Sequence, residues 1–101
     1  MRKKRILFCG EATFLNTGYA TYNREILNYL HSTGKYELAE LSAYGELNDR
    51  RGDSMPWRFY GAMPNINSEP KASQEEINEY NSKPTNQFGE WAFERVCLDF
   101  L

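Results

Sequence analysis

The residues best suited to chemistry lie in one run, residues 11–22, which reads Glu-Ala-Thr-Phe-Leu-Asn-Thr-Gly-Tyr-Ala-Thr-Tyr. It follows a short apolar stretch, residues 5–10, and leads into a helical pattern that starts near Gly18. Parallel α/β sheets bind ligands beyond the carboxyl ends of their strands, which is where this run falls. Asn16 or Thr17 can cap the helix, and Gly18 lets a ligand approach the backbone closely. The unpaired amides and the dipole of such a helix end favour an anion, by about 0.3–1 kcal/mol and by up to ~2 kcal/mol when partly buried. A diphosphate or sugar phosphate fits this chemistry, with Glu11, Asn16, Thr17, Gly18 and Tyr19 as candidate binding residues. A single glycine at a helix start is equally a plain cap. No Gly-x-Gly-x-x-Gly and no Gly-x-x-x-x-Gly-Lys-Ser/Thr occurs, so neither a dinucleotide fingerprint nor a P-loop is present.

Other reactive residues are sparse. The two cysteines, Cys9 and Cys97, sit in apolar runs and are expected to be reduced core residues, although sequence leaves a disulfide between them open. With His31 as the one histidine, the set falls short of the roughly four ligands of a structural zinc site, so no metal and no cofactor is expected. His31 lies near the end of a helical pattern, where a structural or solvated role suits it. No Ser–His–Asp or Cys–His constellation can be built, and catalytic residues are not identifiable. Arg51-Gly-Asp53 spells an adhesion tripeptide, but turn formation explains it. Trp57, Phe59 and Tyr60 could stack on a sugar ring, with core packing as the stronger explanation. Glu75, Glu76 and Glu79, like Glu94 and Asp99, read as solvated helical faces. Glu11 is the carboxylate that stands out, though a strand-end residue without a ligand role would look the same.

The elements that position these residues follow a simple order. Residues 5–10 form a continuous apolar run ended by glycine, the pattern of a central strand buried on both faces. A helix from Gly18 places Tyr22, Ile26, Leu27 and Leu30 on one face, and Gly34 stops it. Residues 36–44 read as a second strand, making a βαβ unit with parallel strands. Residues 45–70 are rich in Gly, Pro, Asn and Asp, with residues 57–63 as a third short strand. Ser73 and Glu76 form a capping box that opens a polar helix to about Asn81, and Pro84 breaks it. A last helix from Thr85 or Asn86 offers Phe88, Trp91, Ala92, Val96 and Phe100 for burial.

Length and composition bound the rest. The 101 residues suffice for one small domain, and 41% hydrophobic with 15% aromatic residues argues against disorder. A net charge of −2 gives no basic field to recruit nucleic acid. The basic run Arg2, Lys3, Lys4 and Arg5 precedes only four apolar residues, too few for a signal peptide, and no stretch nears the roughly 20 residues of a membrane span. Without a glycosylation sequon or export signal, a cytoplasmic location is expected. The apolar end, Cys97, Leu98, Phe100 and Leu101, lacks a stop signal and reads as a domain truncated at its carboxyl terminus. The alternative is a last helix that docks fully or mediates self-association.

Residues 5–10 together with Asn16-Thr-Gly-Tyr-Ala-Thr-Tyr22 resemble the first strand, loop and helix of retaining GT-B glycosyltransferases. Asn86-Gln-Phe-Gly-Glu-Trp and the helix after it are similar to the N-terminal half of such proteins, including phage-encoded ones. The resemblance covers most of the chain and implies an incomplete Rossmann-like parallel sheet with flanking helices, a single partial N-terminal domain over residues 1–101. It implies a donor-side domain absent from this sequence, a nucleotide-sugar donor and an unknown acceptor. Thr17, Gly18 and Tyr19 would lie near the diphosphate, with Glu11 and the loop at residues 45–56 near the acceptor. The family often places a histidine on a later loop, which His31 does not match. A rival reading is a stand-alone phage-type module that binds a nucleotide or a protein through its last helix. A receiver-like or flavodoxin-like domain would need an acidic cluster and five strands, which are not visible.

Overall fold

Thr17 begins the first helix as expected: its backbone is extended and its hydroxyl accepts from the Ala20 amide at 3.0 Å. The computed structural model describes residues 3–101. In it, strand β1 (Lys4–Glu11) is followed by helix α1 (Gly18–Ser32), strand β2 (Tyr36–Glu46), a 3₁₀ turn at Arg50–Ser54, and strand β3 (Arg58–Met63). Helix α2 (Gln74–Asn81), a second 3₁₀ turn at Pro84–Phe88 and helix α3 (Glu90–Phe100) complete the order. Gly34, at φ 69°, supplies the left-handed residue that ends the α1 region. The Ser73–Glu76 capping box forms with both of its bonds.

All three strands are parallel and lie in the order β1-β2-β3. The register between β1 and β2 is unbroken from Lys4↔Tyr36 to Glu11↔Ala43. Between β2 and β3 it runs from Ala39↔Arg58 to Ser42↔Gly61, then slips, and resumes at Glu46↔Met63. The slip forces close backbone approach, since a Cβ on Gly61 would sit 2.0 Å from the Glu46 carbonyl oxygen. Only glycine fits there.

The expectation of a central first strand is corrected. The central strand is β2, buried almost continuously from Leu38 to Ala43, while β1 has one strand neighbour and is only half-buried. Alternation along the strands feeds two cores. Ile6, Phe8 and Leu38 pack with Leu27 and Leu30 of α1 and with Trp57. On the other face Leu7, Ala39, Leu41, Tyr60 and Ala62 pack against Trp91, Ala92, Val96 and Phe100 of α3.

Four further residues depart from expectation. Tyr22 is exposed, because the buried stripe of α1 runs through Ala20 and Leu27. The last helix starts at Glu90 behind a left-handed Gly89, so Phe88 falls on the preceding turn and is 74% exposed. Cys9 is exposed and Cys97 intermediate, with no disulfide between them; α3 packs mainly against β3 and covers the end of β1 only in part. Partial burial pushes the Cys9 thiol up, and the neighbouring Cys97 pushes it further. The adhesion-like tripeptide is part of the Arg50–Ser54 turn, where Asp49 accepts from the Arg51 amide and guanidinium.

Among the described residues no helix is long and apolar enough to cross a membrane. No group of three or more His, Cys, Asp or Glu there could hold a metal ion.

Candidate ligand site at the carboxyl end of the sheet

The β1–α1 loop is held from beneath by a residue that sequence reading passed over. Glu40, on the α1 face of β2, is fully buried. Its carboxyl accepts from the Thr13 amide at 3.3 Å, the Thr13 hydroxyl at 2.8 Å and the Trp57 indole at 2.9 Å. Arg24 of α1 donates to the Thr13 carbonyl from the other side. Phe14 packs on Phe59 at 5.4 Å and lies under the Arg51 guanidinium at 4.3 Å. Thr13 and Phe14 are therefore fixed by side chains from β2, β3 and the intervening turn, and the loop delivers Asn16, Thr17 and Gly18 in one arrangement. The signal for Glu40 was a lone charge inside the apolar run at residues 38–43.

Of the sequence candidates, Glu11 and Thr17 are brought together, the Thr17 hydroxyl donating to Glu11 Oε1 at 3.3 Å. Thr17, not Asn16, is the cap; Asn16 is exposed beside it. The amides of Gly18 and Tyr19 open the helix, where α-helical geometry gives no acceptor. The space above Gly18 is open, with no atom within 4 Å of a would-be Cβ and no positive φ, so neither packing nor backbone demands glycine. Tyr19 and Tyr22 flank it, 75% and 64% exposed. Glu11 already lends negative charge to this helix end, so an incoming phosphate must share the positive end of α1 with a carboxylate.

A second feature adjoins this one. A cavity of about 300 Å³ at the carboxyl ends of β1 and β2 is lined by Cys9, Gly10, Glu11, Ala43, Tyr44 and Phe88. Tyr44 stands in the β2 slip at φ 68°, a conformation that costs a bulky residue about 1–2 kcal/mol. Sequence reading missed Tyr44 because nothing local marks it; the strain comes from the non-local β2–β3 pairing. His31 lies at the other end of the sheet, edge-on to Trp57 at 6.4 Å, in a cavity of about 490 Å³ shared with Arg5 and Arg58. Those arginines are paired, with Glu37 at 2.8 Å and Asp99 at 2.7 Å. It faces the amino ends of the strands, so the site is assigned to the carboxyl end.

No family model, no curated protein and no solved structure matches this chain.

Proposed function

We propose that this chain forms the acceptor-side part of a retaining GT-B glycosyltransferase, a cytoplasmic and phage-type enzyme that moves a sugar from a nucleotide-sugar donor to an acceptor. The observation that supports it is the open helix start at Gly18, set beyond the carboxyl end of a parallel strand and held by the Thr17 cap. The Gly18 and Tyr19 amides are the groups to receive the donor diphosphate, while Glu11 faces the acceptor side. Catalysis then rests on positioning and on neutralising the departing diphosphate, functions shared with a donor-binding domain.

The test is an NMR titration of the chain with inorganic diphosphate and with a nucleoside diphosphate. Shifts over residues 17–22 are expected, and Gly18→Val should remove them while leaving the remaining spectrum in place. Unchanged binding in that variant, or no shifts in the parent chain, would falsify the reading.

A second reading is favoured by Phe93 and Leu98 on α3 and Leu101 just past its end, which expose 51%, 79% and 62% of their surface. They suit a stand-alone module that self-associates or binds a protein through its last helix. A stable, concentration-independent dimer in sedimentation, lost in Leu98→Glu, supports that reading.

A further inference from the structure

Two aromatic rings stand where the fold has no use for them. Tyr44 is 55% exposed and Phe88 is 74% exposed, and both line the cavity beside Glu11. A left-handed position in a strand irregularity is met most easily by glycine or asparagine, and here a tyrosine occupies it. Neither the backbone nor the core explains that ring. Strain kept at an exposed side chain on the ligand end of a sheet points to a role for the side chain itself.

The neighbouring chemistry narrows the ligand. Glu11 Oε1 receives Thr17, and no donor among the described residues reaches Oε2. An aromatic face packs on the C–H face of a pyranose, and adjacent hydroxyls donate to a carboxylate oxygen. A nucleotide would stack equally well, but the cavity lining holds no cationic side chain for its phosphates, and the Gly18 and Tyr19 amides assigned to a diphosphate lie outside that lining. At about 300 Å³ the cavity is at the small end of ligand pockets, suited to one ring. We propose that it is a subsite for a neutral hexopyranose, stacked by Tyr44 and gripped by Glu11, and that it holds the sugar of a carbohydrate acceptor. The acceptor role rests on the glycosyltransferase reading above.

The experiment titrates the full chain separately with methyl glucoside, methyl galactoside, methyl mannoside and inorganic diphosphate, followed by amide NMR and saturation transfer. At least one glycoside should shift Gly10, Glu11, Ala43, Tyr44 and Phe88. Tyr44→Gly should weaken that binding by about tenfold or more while leaving the thermal midpoint unchanged or raised. Tyr44→Asn, which also tolerates the backbone, and Glu11→Gln should weaken it too. No shift from any of the three glycosides overturns the subsite, as does undiminished glycoside binding in Tyr44→Gly and Tyr44→Asn. Diphosphate shifts over residues 17–22 without glycoside shifts sink the subsite alone and leave the transferase reading standing. Glycoside shifts without diphosphate shifts overturn the acceptor role together with the transferase reading, and leave a sugar-binding module.

Discussion

The indole N–H of Trp57 donates to Glu40 Oε2 at 2.9 Å, joining the segment before β3 to the middle of β2 in the interior. The same carboxyl receives the amide and hydroxyl of Thr13, so every partner of Glu40 is a donor. A carboxylate accepts from all of them, and no neutral side chain of that shape does so equally well. The loop leading to Thr17 and Gly18 hangs on this point.

Glu40→Gln should therefore cost about 1–3 kcal/mol, because its amide must face at least one donor. Glu40→Leu leaves buried donors unpaired and should cost about 3–5 kcal/mol. Urea denaturation followed by tryptophan fluorescence measures both. A Glu40→Leu chain as stable as the parent would show that the network does not hold the loop.

Gly61→Ala tests the slip between β2 and β3. The added methyl would meet the Glu46 carbonyl at 2.0 Å, a backbone atom that cannot swing aside. A loss of at least about 2–3 kcal/mol is expected. Faster hydrogen exchange at Leu47, whose amide donates to the Met63 carbonyl at 2.7 Å across the slip, should accompany it.

Acid should weaken the fold through Glu46 and Asp49. Burial pushes the Glu46 carboxyl up, but hydrogen bonds from Ser68, Asn67 and Ile66 outweigh it, and the net shift is down from the ordinary 4.5. Asp49 lies below its ordinary 3.8, chiefly because the Arg51 side chain donates to it. Both groups bind protons more readily unfolded than folded. Their stabilisation is thus fully present above the ordinary values and is lost as pH falls through the folded ones. Thermal midpoints should hold steady from pH 7 to about pH 5.5 and fall below that. Glu46→Gln should lie below the parent at neutral pH and converge with it in acid.

Trp91 carries a buried indole N–H with no hydrogen-bond partner among the described residues. Its ring still packs under Arg95 at 3.9 Å and edge-on to Tyr80 at 6.0 Å. Trp91→Phe keeps the aromatic contacts and removes the unpaired donor, so stability should stay within about 1 kcal/mol of the parent or rise. Trp91→Ala should cost about 3–5 kcal/mol. Denaturation monitored through Trp57, the other of the two tryptophans, gives both values.

The sequence by itself determined what is decided within a few residues. The Thr17 cap, the Gly34 stop, the Ser73–Glu76 capping box and the three strands are local, because each depends on hydrogen bonds or periodicity within a turn or a strand. Glu11, Thr17 and Gly18 were legible as neighbours for the same reason, since one strand–loop–helix carries them. Tertiary structure decided the remainder. An apolar run reads alike whether a strand has one neighbour or two, so only pairing could set β2 at the centre and leave Cys9 exposed. The burial of Glu40 depends on Thr13 and Trp57, which lie 27 and 17 residues away along the chain. Tyr44 and Phe88 line one cavity with Glu11 only because β2 slips against β3 and a turn from the far end of the chain packs on β2 and β3.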